Sequence, residues 1–140
     1  MKQSKAKYYI LAILVCICTI ILVLLVTQSK KDDYLVHGKK SYEKHCANCH
    51  GNHGEGLQLL IPPLTDSKWV NNDSIVCIIK NGMDGSIMVN GKNFNGRMVG
   101  STKINPDEIA NIISYIRNEF SKIPDRMSID EVNELMLKCK

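Results

Sequence analysis

From residue 30 onward this chain carries almost no net charge. The whole sequence has 18 Lys and Arg against 14 Asp and Glu, and Lys2, Lys5 and Lys7 account for most of the +4 surplus. A balance this close to neutral leaves no electrostatic footprint for nucleic acid. The chain also lacks internal repeats and low-complexity tracts, so no repeat architecture is in view. It lacks a second Cys/His pair, because Cys77 and Cys139 each stand alone, and this argues against a closed zinc site. A thioredoxin-like dithiol would need a βαβ context, and none is visible. There is no binuclear-copper or dehydrogenase motif. At 140 residues the sequence holds one small domain and little else.

What the first thirty residues do have is a long apolar run. Tyr8 to Val26 is 19 residues without a charge, dominated by Ile, Leu and Val. As a helix it measures about 28 Å, close to the roughly 30 Å hydrocarbon core of a bilayer. Tyr8 and Tyr9 stand where an interfacial aromatic belt would be. Lys2, Lys5 and Lys7 precede the run and Lys30 and Lys31 follow it, a modest bias that favours an N-in, C-out orientation. A cleaved signal peptide is the competing reading. Its apolar core runs about 7–15 residues and ends at an A-x-A-like site, whereas this run is longer and Thr27-Gln28-Ser29 is a poor cleavage signal. Neither Cys16 nor Cys18 follows a small residue, which argues against a lipoprotein. The expectation is an uncleaved single-pass transmembrane anchor over residues 1–29, spanning about 8–26, with 30–35 as a short charged tether.

Beyond the tether the pattern predicts a handful of short helices with long loops. The first runs from about Val36 into the Cys46–His50 stretch, and Gly51, Gly54 and Gly56 then impose a loop. A second covers Ser74 to Asn81, with Asp73 as N-cap and Gly82 as its stop. Gly82 to Thr102 reads as a long loop, of the kind that usually has a task. The clearest helix follows: Asn105 caps it, Pro106 opens it, Glu108 completes a capping box, and Pro124 lies past its end. Ile109, Ile112, Ile113, Ile116 and Phe120 give it one apolar face. Ser128-x-x-Glu131 opens a last helix whose Ile129, Val132, Leu135 and Met136 would lie back on the domain. The boundaries are thus 36–123 for the domain and 124–140 for a C-terminal helical extension. Cys77 reads most simply as a buried apolar residue, with a Cys77–Cys139 disulfide as the alternative in an oxidising compartment.

One motif carries chemistry. Cys46-Ala47-Asn48-Cys49-His50 reads C-x-x-C-H, the attachment pattern of c-type haem. Two thiols three positions apart can each add across a vinyl group of one porphyrin, and the adjacent His then falls beneath the iron. A domain with so many polar loops builds a thin core of its own, so a buried apolar porphyrin would be structural as well as functional. Lys39, Lys40 and Lys44 gather before the motif. They would steer an acidic partner, or they are simply a solvated helix face.

Over about residues 36 to 120 the chain resembles a class I, mono-haem cytochrome c. Gly38, Tyr42 and Cys46, spaced four apart, match that family's first helix, where the Gly permits close crossing by the last helix, here with Ile112 and Tyr115. The resemblance implies an all-α cytochrome c fold, several short helices around one covalent haem c with its iron, preceded by the single transmembrane helix. It further implies that Cys46 and Cys49 hold the haem and His50 binds iron. Pro62 would give its carbonyl to the outer imidazole nitrogen, Leu64 would pack on the porphyrin, and Trp69 would donate to a propionate. The stretch Gly91 to Met98 resembles the family's G-x-x-[YF]-x-G-x-M, which makes Met98 the second axial ligand, although Val99 stands where the family usually has Pro. Met88 is the runner-up, and Met83 lies in the same loop. His37, His45 and His53 are set aside, His45 because it points away if Cys46 bonds haem and His53 because it sits too close to His50.

His50/Met98 ligation would saturate the iron and confine its chemistry to one-electron exchange. The implied function is a membrane-anchored carrier shuttling single electrons in a respiratory chain, at the outer face of the cytoplasmic membrane. Its partners would be an oxidase, a quinol-oxidising complex or a dehydrogenase, together with the bilayer through residues 8–26. A second option is the electron-accepting subunit of a periplasmic quinoprotein or flavin dehydrogenase, which Ile79 to Asn118 also resembles. Were Met98 not a ligand, an open sixth position would suit a haem peroxidase or gas sensor.

Overall fold

The computed structural model describes residues 2–139, without the side chains of residues 2–4, 6 and 28–32. Lys2, Lys30 and Lys31, expected to flank the apolar run, therefore have side chains outside the described residues. Among the described residues five helices are assigned: α1 (Lys2–His45), α2 (Ala47–His50), α3 (Ser74–Asn81), α4 (Pro106–Phe120) and α5 (Ile129–Lys138). Residues 30–35, expected as a tether before a new helix at Val36, instead carry helical backbone within α1. The reason is compositional. No Gly or Pro occurs before Gly38, so nothing in the chain stops the helix once it has started.

Two compact units are distinguished, Met1–Asp33 and Tyr34–Lys140. In the first, Lys7–Thr27 is 21 residues with mean hydropathy 3.3 and none of it buried. The second holds a core centred on α4. Ile109, Ile112, Ile113, Ile116 and Phe120 are all buried there, as their spacing predicts, each worth about 1.5–3 kcal/mol. Tyr42, Tyr115 and Phe120 form an aromatic trio with ring centroids 5.3–5.7 Å apart. α1 and α4 approach closely at Gly38. A Cβ there would collide with the Asn111 carbonyl oxygen and come within 2.7 Å of Tyr115 Cβ. Tyr115 is the partner expected; the other is the Asn111 backbone rather than Ile112.

The caps follow the sequence at two helices and depart from it at one. Asn105 Oδ1 accepts from Glu108 N at 2.9 Å, and Ser128 Oγ accepts from Glu131 N at 3.2 Å, each half of a full capping box. At α3, Asp73 sits in helical geometry and makes no cap bond. Asn72 Oδ1 accepts from Ser74 N instead, at 2.9 Å, while the Asp73 carboxylate lies 3.8 Å from the Arg117 guanidinium. Gly82 ends α3 as expected, with φ +84°.

Helix α5 packs on α3 and α4, burying Val132 in the common core beside Met127, while Ile129 stays exposed. That packing brings Cys139 to Cys77, and the two are disulfide-bonded. Cys77 is thus not the plain apolar residue its Ile-Val-Cys-Ile-Ile setting suggests. The long loop after α3 is also more ordered than its composition implies. It forms two small antiparallel ladders in an otherwise helical unit: β1 (Gly82–Met83) pairs with β4 (Met98–Val99), and between them β2 (Ile87–Val89) pairs with β3 (Lys92–Phe94).

Candidate cofactor site

The site begins where α1 loses its regular geometry. Cys46, at φ −121° and ψ −37°, still donates its N–H to Tyr42 O at 2.8 Å, and its own carbonyl accepts from His50 N at 2.9 Å. This single distorted residue places Cys46, Cys49 and His50 on one short turn. Both thiols are free, Cys46 half-buried and Cys49 exposed. Burial, and the neighbouring Cys49 next, push the Cys46 thiol up to about 11, so at neutral pH it is held as the thiol.

His50 is buried and its Nδ1 hydrogen-bonds the Pro62 carbonyl at 3.1 Å. That bond puts the proton on Nδ1 and leaves Nε2 as a bare base. Burial lowers the imidazole pKa and the Pro62 bond opposes it, so the ring stays neutral, as a ligand must. The close approach of Pro62 depends on Gly56, which the sequence marks only as one of three loop glycines. Its φ is +70°, and a Cβ there would run into Ile61 O and come within 2.8 Å of the Pro62 carbonyl carbon. Tyr42 fixes the turn from beneath, its hydroxyl donating to Gly51 O at 2.6 Å, and burial raises its pKa.

All seven residues singled out by motif and resemblance border one cavity of about 390 Å³: Cys46, Cys49, His50, Pro62, Leu64, Trp69 and Met98. Strand alternation sorts the methionines. Ile87 and Val89 face the cavity from β2, so Met88 between them points outward and is 53% exposed. Met88, unlike Met98, does not border the cavity. Met98 and Met83, directly opposite each other in the β1–β4 ladder, both border the cavity. Two expectations change. Trp69 does border the cavity, but its indole N–H donates to the Met88 carbonyl at 3.1 Å rather than pointing freely toward a propionate. His45, expected to point away, also borders the cavity, with Nε2 3.7 Å from Glu108. Lys39 lies 3.9 Å from Glu43 in an exposed pair, and exposed Lys44 lies 4.0 Å from half-buried Glu108, an arrangement that fits a solvated face.

The donor set suits a c-type haem. An apolar cavity, two free thiols on one turn, a neutral imidazole with one nitrogen committed to a carbonyl, and a thioether lining the same cavity match what that group requires.

Comparison with known proteins agrees. The family model for cytochrome c matches residues 35–119. Cytochrome c-552 of Thermus thermophilus is 29% identical over 85 residues, covering 56% of this chain and 64% of that protein. A second cytochrome c-552, from a defined strain of the same organism, has the same identity over the same length, covering 57% of its own chain. The match therefore spans less than two thirds of either relative. With the family matched across most of the unit that holds the cavity, this chain belongs to the class I, mono-haem cytochrome c family and carries covalently bound haem c with its iron.

Proposed function

We propose that this chain is a membrane-tethered electron carrier that takes up and passes on one electron at a time, with the domain at the outer face of a cytoplasmic membrane. The observation that supports it best is that His50 and Met98 border one predominantly apolar cavity, each held there by backbone structure. Haem c supplies one-electron exchange between the ferric and ferrous states. Cys46 and Cys49 hold it by thioether bonds, and His50 offers Nε2 because Pro62 keeps the proton on Nδ1. Met98 offers a soft thioether, which favours the reduced state and raises the potential. The β1–β4 ladder holds Met98, which would limit rearrangement when the bound haem changes charge.

The apolar Lys7–Thr27 helix supports the tether. A tether raises the concentration of the domain beside membrane-bound partners. The proposed partners are a quinol-oxidising complex or dehydrogenase as donor and an oxidase as acceptor, meeting the domain in small transient encounters.

The test is Met98→Ala, with Met83→Ala as control. Met98→Ala abolishes the Met–iron charge-transfer absorption and opens the ferrous protein to carbon monoxide; Met83→Ala leaves both unchanged. If the unsubstituted ferrous protein already binds carbon monoxide readily, the carrier reading fails. Resistance of the full chain to alkaline carbonate extraction of membranes tests the tether.

A further inference from the structure

The segment after Pro62 reaches across to the hairpin. Pro62 accepts from His50, and three residues on the Thr65 carbonyl accepts from Asn90 Nδ2 at 3.0 Å. Four further on, Trp69 Nε1 donates to the Met88 carbonyl at 3.1 Å. Asn90 and Met88 belong to the β2–β3 hairpin, so both bonds join the His50 side of the cavity to the loop that carries Met98.

Each side of this junction has a reason to need it. The 62–70 segment is firmly seated: Leu64 N donates to Gly54 O at 2.8 Å, and Asp66 N to Phe120 O at 3.0 Å. The hairpin is not. Its ladder has three residue pairs and no third strand, and two-stranded hairpins are marginal in water by themselves. Its tip is a two-residue Asn90-Gly91 turn with φ +49° and +76°, which presents the Asn90 amide. Its inward residues Ile87, Val89 and Phe94 form one wall of the cavity. The same loop continues from Phe94 directly to Met98.

We propose that Trp69 and Asn90 form a latch that holds the hairpin against the 62–70 segment and thereby keeps Met98 in place. Trp69 is thus a positioning residue for the second axial ligand, acting through the Met88 backbone. The inference rests on the reading of Met98 as that ligand. It gives a purpose to the indole N–H that a propionate contact would otherwise have claimed.

The test uses ferric holoprotein with two variants that delete one bond each and little else. Trp69→Phe keeps an aromatic ring but removes the N–H. Asn90→Gly suits the positive φ and removes the amide. Each variant should speed displacement of Met98 by cyanide about tenfold, the worth of one hydrogen bond, while the Met–iron absorption at neutral pH remains. Hydrogen exchange at the amides of residues 87–94 should rise by a similar factor. Unchanged exchange in both variants overturns the latch. Faster exchange with unchanged cyanide binding overturns the hold on Met98. If Met98→Ala keeps the Met–iron absorption, the ligand assignment is what has failed, and hairpin exchange still decides the latch. Should Trp69→Phe not accumulate as holoprotein, Asn90→Gly, on an exposed tip, decides by the same two readouts.

Discussion

Gly38 shows how a residue outside the cavity lining sets the distance between two helices. It sits inside α1, where Ala would be the better helix former by about 1 kcal/mol. Against that gain stands the Asn111 carbonyl, which occupies the space a methyl would need, with Tyr115 Cβ only 2.7 Å away. Backbone does not yield as a flexible side chain does, so the clash wins and Gly38→Ala lowers the unfolding free energy by about 1–3 kcal/mol. Equilibrium urea denaturation checks this, and a variant as stable as the parent would contradict the close crossing. The residues around the cavity are legible in the sequence to very different degrees. Cys46, Cys49 and His50 are visible because covalent attachment demands a fixed local spacing. Pro62 is visible only through resemblance, since nothing local reveals which of many carbonyls faces His50. Beyond the cavity lining, Gly56 shows in the sequence only as one of several loop glycines, and Arg117 looks like a surface arginine. Yet Arg117 is buried, donating to the Val70 carbonyl at 3.2 Å and pairing with Asp125 at 3.2 Å.

Elements with strong local chemistry are legible from the chain, and those stabilised from a distance are not. α4 announces itself by its cap, its Pro and a run of isoleucines at helical spacing. β1 to β4 do not, because strands of two or three residues have no periodicity to detect and exist only through their cross-strand partners. Continuity of α1 through residue 35 is hidden for the opposite reason: charge suggests a linker, but charge does not break a helix. The capping box of α5 leads to a pH prediction. Glu131 accepts from Ser128 N and Ser128 Oγ, both at 2.7 Å, and these bonds hold its carboxyl below the ordinary 4.5. A depressed carboxyl stabilises the fold fully above the unfolded value and loses that contribution as the pH falls through the folded one. Glu131→Gln should therefore be less stable than the parent near neutrality, by at most about 1 kcal/mol for so exposed a site. The two should converge well below pH 4.5. Urea midpoints at the two pH values measure it, and a gap that does not change with pH would rule it out.

At the scale of the molecule, the Tyr34–Lys140 unit is closed twice over, by a covalent cofactor at one end of its sequence and by a disulfide at the other. The sequence shows Cys77 and Cys139 plainly, but their pairing depends on α5 folding back onto α3 and α4, a tertiary event that no local pattern encodes. The two closures also act on different regions. Haem attachment fixes the turn at residues 46–50, whereas the Cys77–Cys139 bond encloses a stretch of separation 62 that contains both ladders and all of α4. Closing a loop of that length in the unfolded chain removes much of its entropy, and the usual gain in stability is about 2–4 kcal/mol. α3 contributes Ile75, Ile78 and Ile79 to the cavity wall from the helix that bears Cys77, a route by which loss of the bond could disturb the iron. The packing argues otherwise, because Val132 and Met127 hold α5 to the core without the disulfide, and Ser114 Oγ accepts from Met127 N at 3.0 Å within it. The expected outcome is therefore a separation of effects. Cys77→Ser with Cys139→Ser lowers the unfolding free energy of the holoprotein by about 2–4 kcal/mol and leaves the haem absorption spectrum at neutral pH as it was. Treating the unsubstituted protein with a dithiol reductant should reproduce the same loss. A variant that unfolds at the parent's urea concentration would show that packing alone closes the unit, and one that alters the spectrum would show that α5 reaches the iron through α3.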